Sequence, residues 1–192
     1  MNKAVFLDRD GVLNETKADK DFYYKESDII FLPKVYDALK IIKDKGYKIF
    51  VITNQPVVAR GMVSLEDVKN LHKFINKELK EIIEKFYICP HHPEMHPDVP
   101  EHAKKYRIAC NCRKPLPGMI FEAAKEFDID LNKSWMIGDM ITDILCGKAA
   151  GCMTIQILSP HNKKITKSAM AFDKNIKPDY HAKDLLEAAG FI

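Results

Sequence analysis

The chain lacks any apolar run that approaches the length of a membrane span, so no transmembrane helix is expected in its 192 residues. It also lacks a strong charge of either sign. A net charge of +3 is too mild to argue for nucleic acid, although it suits a small anionic substrate. A disulfide framework is missing as well: five cysteines is an odd number, and three of them fall in tight Cys-x-His and Cys-x-Cys pairs, which point to metal. There is no internal repeat and no low-complexity linker. Met1–Leu7 is too short for a signal-peptide core and meets Asp8 at once. The expectation is a cytoplasmic monomer, a single domain over 1–192, with no membrane or nucleic-acid partner.

What is present alternates between strand and helix patterns. Ala4–Leu7, Lys48–Ile52, Phe86–Ile88, Trp135–Ile137 and Met153–Leu158 read as short buried strands. Between them, Val35, Ala38, Leu39 and Ile42 share one helical face. Ser64 and Asp67 form a capping-box pattern ahead of Val68, Leu71, Ile75, Leu79 and Ile82. Pro117 opens a helix with Ile120, Phe121, Ala124 and Phe127 on its apolar face. Further helices are expected from about Asp143 to Gly151 and over 184–189, and the lysine-rich 159–178 stretch reads as a loop. Alternation of this kind predicts an α/β fold, a doubly wound parallel sheet with helices on both faces.

Four polar clusters stand where apolar strands end or helices begin: Asp8-Arg9-Asp10-Gly11, Thr53-Asn54-Gln55, Arg113-Lys114-Pro115 and Gly138-Asp139 with Asp143. Each alone also fits an ordinary turn. In a parallel sheet, however, every strand's carboxyl end lies on one edge, so clusters some 130 positions apart can converge. Carboxylates gathered around a lysine predict a hard cation beside a phosphate. Mg²⁺ takes one or two carboxylates, waters and a phosphate oxygen, and the lysine and threonine serve the other phosphoryl oxygens. Asp8 reads as a nucleophile or metal ligand, Asp10 as a proton carrier, and Gly11 as the turn that lets a ligand approach.

A second constellation lies in the irregular 89–113 stretch. Cys89 and His91, with Cys110 and Cys112, offer three thiols and an imidazole, a complete tetrahedral set for a structural Zn²⁺. His92 is the rival ligand, while His96 and His102 are expected to face solvent. Cys146 and Cys152 read as buried fillers.

The four catalytic clusters, in this order, resemble those of the haloacid dehalogenase superfamily of aspartate-nucleophile phosphatases, over residues 4 to about 158. The resemblance implies that Asp8 forms an aspartyl-phosphate and that Asp10 protonates the leaving group and then activates water. It implies that Thr53 and Lys114 hold the phosphoryl oxygens. Mg²⁺ would be bound by Asp8, the carbonyl of Asp10 and Asp139, with Asp143 supporting Lys114 or the metal. Cys-Pro-His-His-Pro, then Cys-x-Cys-Arg-Lys-Pro, narrows the resemblance to the heptose 1,7-bisphosphate and histidinol-phosphate phosphatase branch. Asn54-Gln55 and Ala59-Arg60-Gly61 match that branch too. The branch implies a small phosphorylated metabolite as substrate, no large cap domain, a zinc-stabilised loop at 89–113, and substrate binding by Asn54, Gln55, Arg60 and Arg113. Removal of the 7-phosphate of D-glycero-D-manno-heptose 1,7-bisphosphate is the leading reading, with histidinol phosphate as the alternative substrate and a phospho-accepting signalling domain as the alternative class. Three departures from the branch stand out: Met140, where relatives often carry Lys or Arg; Pro56-Val57-Val58 after Gln55; and a long, charged 15–24 loop, whose Lys17 and Lys20 are either substitutes for the missing cation or solvated surface lysines.

Overall fold

The structure, a computed structural model, describes residues 1–15, 25–93, 99–158 and 176–192. The strands are β1 (Ala4–Leu7), β2 (Lys48–Asn54), β3 (Lys85–Cys89), β4 (Trp135–Gly138), β5 (Met153–Ile157) and β6 (Tyr180–Ala182). The helices are α1 (Val35–Asp44), α2 (Leu65–Glu78), α3 (Glu101–Lys104), α4 (Gly118–Phe127), α5 (Ile141–Ala150) and α6 (Leu185–Phe191). All strand pairs are parallel, in the order β3-β2-β1-β4-β5-β6. Strand order reverses at β1, and the crevice outside the carboxyl ends of β1 and β4 is where such sheets take ligands.

Side chains alternate across each strand, so both faces of this sheet must be covered. Val5 and Leu7 of β1 join Ile49, Val51 and Ile137 beneath α1, α2 and α6. Ala4 and Phe6 join Phe50, Ile52 and Met136 beneath α4 and α5. Phe50 packs on Phe6 with ring centroids 5.7 Å apart and on Phe127 at 4.9 Å. The Ser64–Asp67 capping box forms as its sequence predicts, with Asp67 N donating to Ser64 Oγ at 3.0 Å and Ser64 N donating to the Asp67 carboxylate at 2.9 Å.

Several details differ from the sequence expectation. The buried stripe of α4 is Met119, Ile120 and Ala123, which leaves Phe121 48 % exposed. At about 100° per residue, Met119, Ile120 and Ala123 fall within one arc of the helix, and Phe121 falls about 150° round from its middle, on the solvent side. The α2 helix stops at Glu78, before Ile82. There the Asn76 side chain takes over the main chain of Ile83, donating to its carbonyl and accepting from its amide. Strand β6 was not expected. It is held to the sheet partly by Asp179, whose carboxylate accepts from the amide and hydroxyl of Thr154, both at 2.8 Å. Val57 and Val58 are buried with Val68 of α2, so the Pro56-Val57-Val58 segment fills a small apolar core. Lys17, Lys20 and His96 lie outside the described residues.

Candidate active site

The turn after β1 carries the first two acids. Asp8 N donates to Ile137 O at 3.0 Å, which ties the strand end to β4, and Arg9 N donates to Asp8 Oδ1 at 2.7 Å. Gly11 follows with φ +84°, and a Cβ there would lie 2.3 Å from Asp139 Oδ2. A side chain at position 11 would therefore displace Asp139, so only glycine lets this turn and the end of β4 close on each other. Gly138 does the same for the next acid: a Cβ would meet Asp143 Cβ at 2.2 Å.

Lys114 enters this space from the segment before α4, nearly fully buried. Its ammonium lies 2.8 Å from Asp8 Oδ1 and 2.7 Å from Asp143 Oδ1, and it donates to Ile52 O at 3.0 Å. Three donors thus meet three acceptors. The main chain of Lys114 is fixed by Asn54, whose Oδ1 accepts from Lys114 N at 3.0 Å and whose Nδ2 donates to Lys114 O at 3.1 Å. The structure therefore places Asn54 on the lysine's backbone. Asp143 is buried at the first turn of α5, and its other oxygen accepts from Met140 N at 2.9 Å. Of the two supporting partners proposed for Asp143, the contact drawn is with Lys114.

Asp8, Asp139 and Asp143 each offer an oxygen, all within 4.8 Å of one another. Burial pushes Asp8 up to about 7, with Asp143 and Asp10 adding to the rise and Lys114 opposing it. Burial, then the charges of Asp143 and Asp8, push Asp139 up to about 8. Burial alone would lower Lys114, but Asp143 and Asp8 outweigh it and hold the ammonium above its usual range. Three carboxylates facing one ammonium leave an excess of negative charge on hard oxygen donors, which is the chemistry a divalent cation satisfies.

Asp10 is gripped by Arg9. Arg9 Nε and Nη2 reach Asp10 Oδ1 at 3.0 and 2.8 Å, and Nη2 reaches Oδ2 at 2.8 Å. Asn14 Nδ2 adds a bond to Oδ1 at 2.9 Å. Gln55 Nε2 donates both to Asp10 Oδ2 at 3.2 Å and to Thr53 Oγ1 at 2.9 Å, joining the end of β2 to the first turn. Arg9 and Asn14 were missed by the sequence reading. Arg9 is 2 % exposed, and an arginine following a fully apolar strand and flanked by two aspartates is the signal that identifies it.

The thiol cluster assembles 89–112. Cys89 Sγ lies 3.6 Å from Cys110 Sγ and 3.8 Å from His91 Nδ1, and Cys112 Sγ lies 3.3 Å from both Cys110 Sγ and His91 Nδ1. A tetrahedron with metal–sulfur arms near 2.3 Å has edges of about 3.8 Å, so the four donors match zinc. Contact with Cys89 draws Cys112 down to about 5, and the same contact pushes Cys89 far up. His92 stands outside the cluster, with its amide donating to Tyr106 O, and His102 is exposed. Arg113 Nη1 donates to His91 O at 3.1 Å, so the cluster reaches the residue before Lys114. Arg60 is exposed, on the turn after β2.

The fold and this acid–lysine edge define a HAD-like hydrolase, and residues 111–188 match the HAD-hydrolase-like family model. The chain is 38% identical over 168 residues to the D-glycero-β-D-manno-heptose-1,7-bisphosphate 7-phosphatase of Haemophilus ducreyi, covering 85% of this chain and 86% of that one. It is 40% identical over 153 residues to the D-glycero-α-D-manno-heptose-1,7-bisphosphate 7-phosphatase of Photorhabdus laumondii, 78% of each chain. The crystal structure of D,D-heptose 1,7-bisphosphate phosphatase from B. bronchiseptica, complexed with magnesium and phosphate, aligns with a TM-score of 0.78 at 26% identity, over 98% of this chain and 97% of that one. The chain belongs to the heptose-1,7-bisphosphate 7-phosphatase family, and it is a phosphatase.

The close approach at Gly11 is directly testable. Gly11→Ala is expected to leave a folded protein, since a left-handed alanine costs only about 1–2 kcal/mol. Its phosphatase activity should fall at least about tenfold because Asp139 is displaced. Wild-type turnover in the alanine variant would show that Asp139's position is not critical.

Proposed function

We propose that the chain hydrolyses the 7-phosphate of D-glycero-D-manno-heptose 1,7-bisphosphate through an aspartyl-phosphate on Asp8. The observation that carries the reading is the Lys114 ammonium bridging Asp8 and Asp143 at the edge where Thr53 and Asp10 also stand. In the first step an Asp8 carboxylate oxygen attacks phosphorus, the ester P–O bond breaks, and Asp10 gives its proton to the departing sugar oxygen. In the second step Asp10 takes a proton from water, which attacks phosphorus and frees Asp8. Oδ1 of Asp10 already accepts three hydrogen bonds, so Oδ2 is the oxygen better placed to exchange the proton.

Lys114 and Thr53 would take phosphoryl oxygens, and Asn54 would hold Lys114 in place. Asp8, Asp139 and the carbonyl of Asp10 would hold Mg²⁺, which when bound neutralises charge that builds on the phosphoryl group. The B. bronchiseptica phosphatase, which is complexed with magnesium and phosphate, supports this assignment. Cys89, His91, Cys110 and Cys112 would hold a structural Zn²⁺. Arg113, tied to His91 O, would recognise the part of the substrate that does not react. We place the protein in the cytoplasm as a monomer acting on a small sugar phosphate. No helix among the described residues is long and apolar enough to cross a membrane.

Phosphate release should be measured with Mg²⁺ on the α and β anomers of the heptose bisphosphate, on histidinol phosphate and on simple hexose phosphates. The expected result is a kcat/KM for one heptose anomer at least about tenfold above every other ester, a preference of 1.4 kcal/mol or more. A preference for histidinol phosphate would overturn the substrate assignment while leaving the chemistry intact. Metal analysis should find about one tightly bound zinc per chain. Cys110→Ala should lose that zinc and open 89–113 to proteolysis while the sheet persists. A fully metallated Cys110→Ala protein would remove Cys110 from the ligand set.

A further inference from the structure

Arg9 carries a full charge at 2 % exposure, and Asp10 uses only part of its donor fork. Its third nitrogen, Nη1, lies 3.1 Å from Nε2 of His72 on α2. His72 sits on the buried stripe of that helix with Val68, Leu71 and Ile75, at 3 % exposure. Its ring stacks on Phe86 of β3, with centroids 4.7 Å apart and planes 21° from parallel.

The chemistry of this contact has one solution. A guanidinium only donates, so Nε2 must accept and the imidazole must be neutral with its hydrogen on Nδ1. Burial, and then the charge of Arg9, hold the imidazole well below its ordinary range, in keeping with that state. Nδ1 is buried and has no hydrogen-bond partner among the described residues. A leucine or methionine on this stripe would pack on Phe86 without an unsatisfied Nδ1 of its own, but it would take the acceptor from Arg9 Nη1. Packing therefore disfavours histidine here, and the bond to Arg9 is what the histidine adds.

We propose that His72 is a positioning residue for proton transfer: it locks the Arg9 fork, which in turn fixes the carboxylate of Asp10. The proposal rests on the reading of Asp10 as the acid–base group. His72 touches neither substrate nor metal. It acts through Arg9 from a helix that shares one core with β1 and β2, and its neutral ring terminates the buried guanidinium without adding a competing charge. A carboxylate at position 72 would draw Arg9 away from Asp10, whereas a neutral acceptor leaves the fork on the acid.

The test uses two esters in the full-length, metal-loaded enzyme. A sugar phosphate has a poor leaving group and needs the proton. An aryl phosphate has a good one and does not need it to form the aspartyl-phosphate, whereas hydrolysis of that intermediate uses Asp10 whichever ester formed it; every comparison is therefore read as kcat/KM, which ends at departure of the leaving group. His72→Leu is expected to lose about tenfold in kcat/KM on the sugar phosphate and less than about twofold on the aryl phosphate. His72→Gln, which keeps an acceptor for Arg9, is expected to stay within about threefold of wild type on both. Equal losses on the two esters would mean a purely structural residue, and no loss on either would mean the contact is idle; either result overturns the proposal. Should the leucine variant fail to fold, Arg9→Lys, which keeps the charge and loses the fork, must show the same ester-dependent loss or the proposal falls. Asp10→Asn is the reference. If it shows no ester dependence, Asp10 is not the proton carrier and both readings fall. If it does and the His72 variants do not, only the role of His72 is wrong.

Discussion

A buried ammonium between two buried carboxylates is the contact on which the rest of this site depends. Lys114 is bonded to Asp8, Asp143 and the Ile52 carbonyl, and all three of its donors are used. Removing one partner from such a set strands an uncompensated charge, which typically costs about 3–5 kcal/mol. The sheet makes the arrangement possible by bringing β1, β2 and β4 to a common edge. The two glycines make it tight, because Gly11 and Gly138 leave no side chain between the turns and the carboxylates of Asp139 and Asp143. The result is a cavity wall with more negative than positive charge, built from hard oxygens, which suits a divalent cation beside a phosphoryl group.

The thiol cluster is connected to this centre through the chain itself. Cys112 is separated from Lys114 only by Arg113, whose side chain is pinned to the carbonyl of His91. Cys89 pairs with Asn54 across β3 and β2, and the same Asn54 holds the main chain of Lys114. An 89–113 loop with few apolar residues cannot order itself by burial. A metal that fastened its two ends would fix the approach of Arg113 and Lys114 together, so an ion held there would bear on the chemistry without touching the substrate.

Much of this was legible in the sequence because strands announce their ends. Asp8, Thr53 and Asp139 each follow an apolar run, Lys114 precedes the Pro-x-Pro start of a helix, and the four zinc-type ligands come in pairs. What was not legible depends on packing between distant elements. Arg9 looks like a spacer between two acids until the fold buries it. His72 looks like one more residue of an amphipathic helix, although its place four residues after Val68 and three before Ile75 puts it on the buried stripe. Asn54 and Gln55 were expected at the substrate. Not foreseen was that their amides also bond Lys114, Thr53 and Asp10, since a polar side chain buried at this edge must be satisfied by its neighbours. Phe121 and β6 failed for simpler reasons: the buried stripe of α4 is centred on Met119, Ile120 and Ala123 with Phe121 on the opposite side, and a three-residue strand is too brief to show a pattern.

The chemistry assigned to this arrangement passes through one covalent intermediate, an aspartyl-phosphate on Asp8 that must form and break within each turnover. Acid-quenching the enzyme during turnover of a substrate labelled in its phosphoryl group, then locating the label by peptide mass spectrometry, tests it directly. The account predicts label on the peptide carrying Asp8, absent in Asp8→Asn and persisting longer in Asp10→Asn, where water is not activated. Label at another residue, or turnover at wild-type rate with no trapped phosphoenzyme and with activity retained in Asp8→Asn, would contradict it.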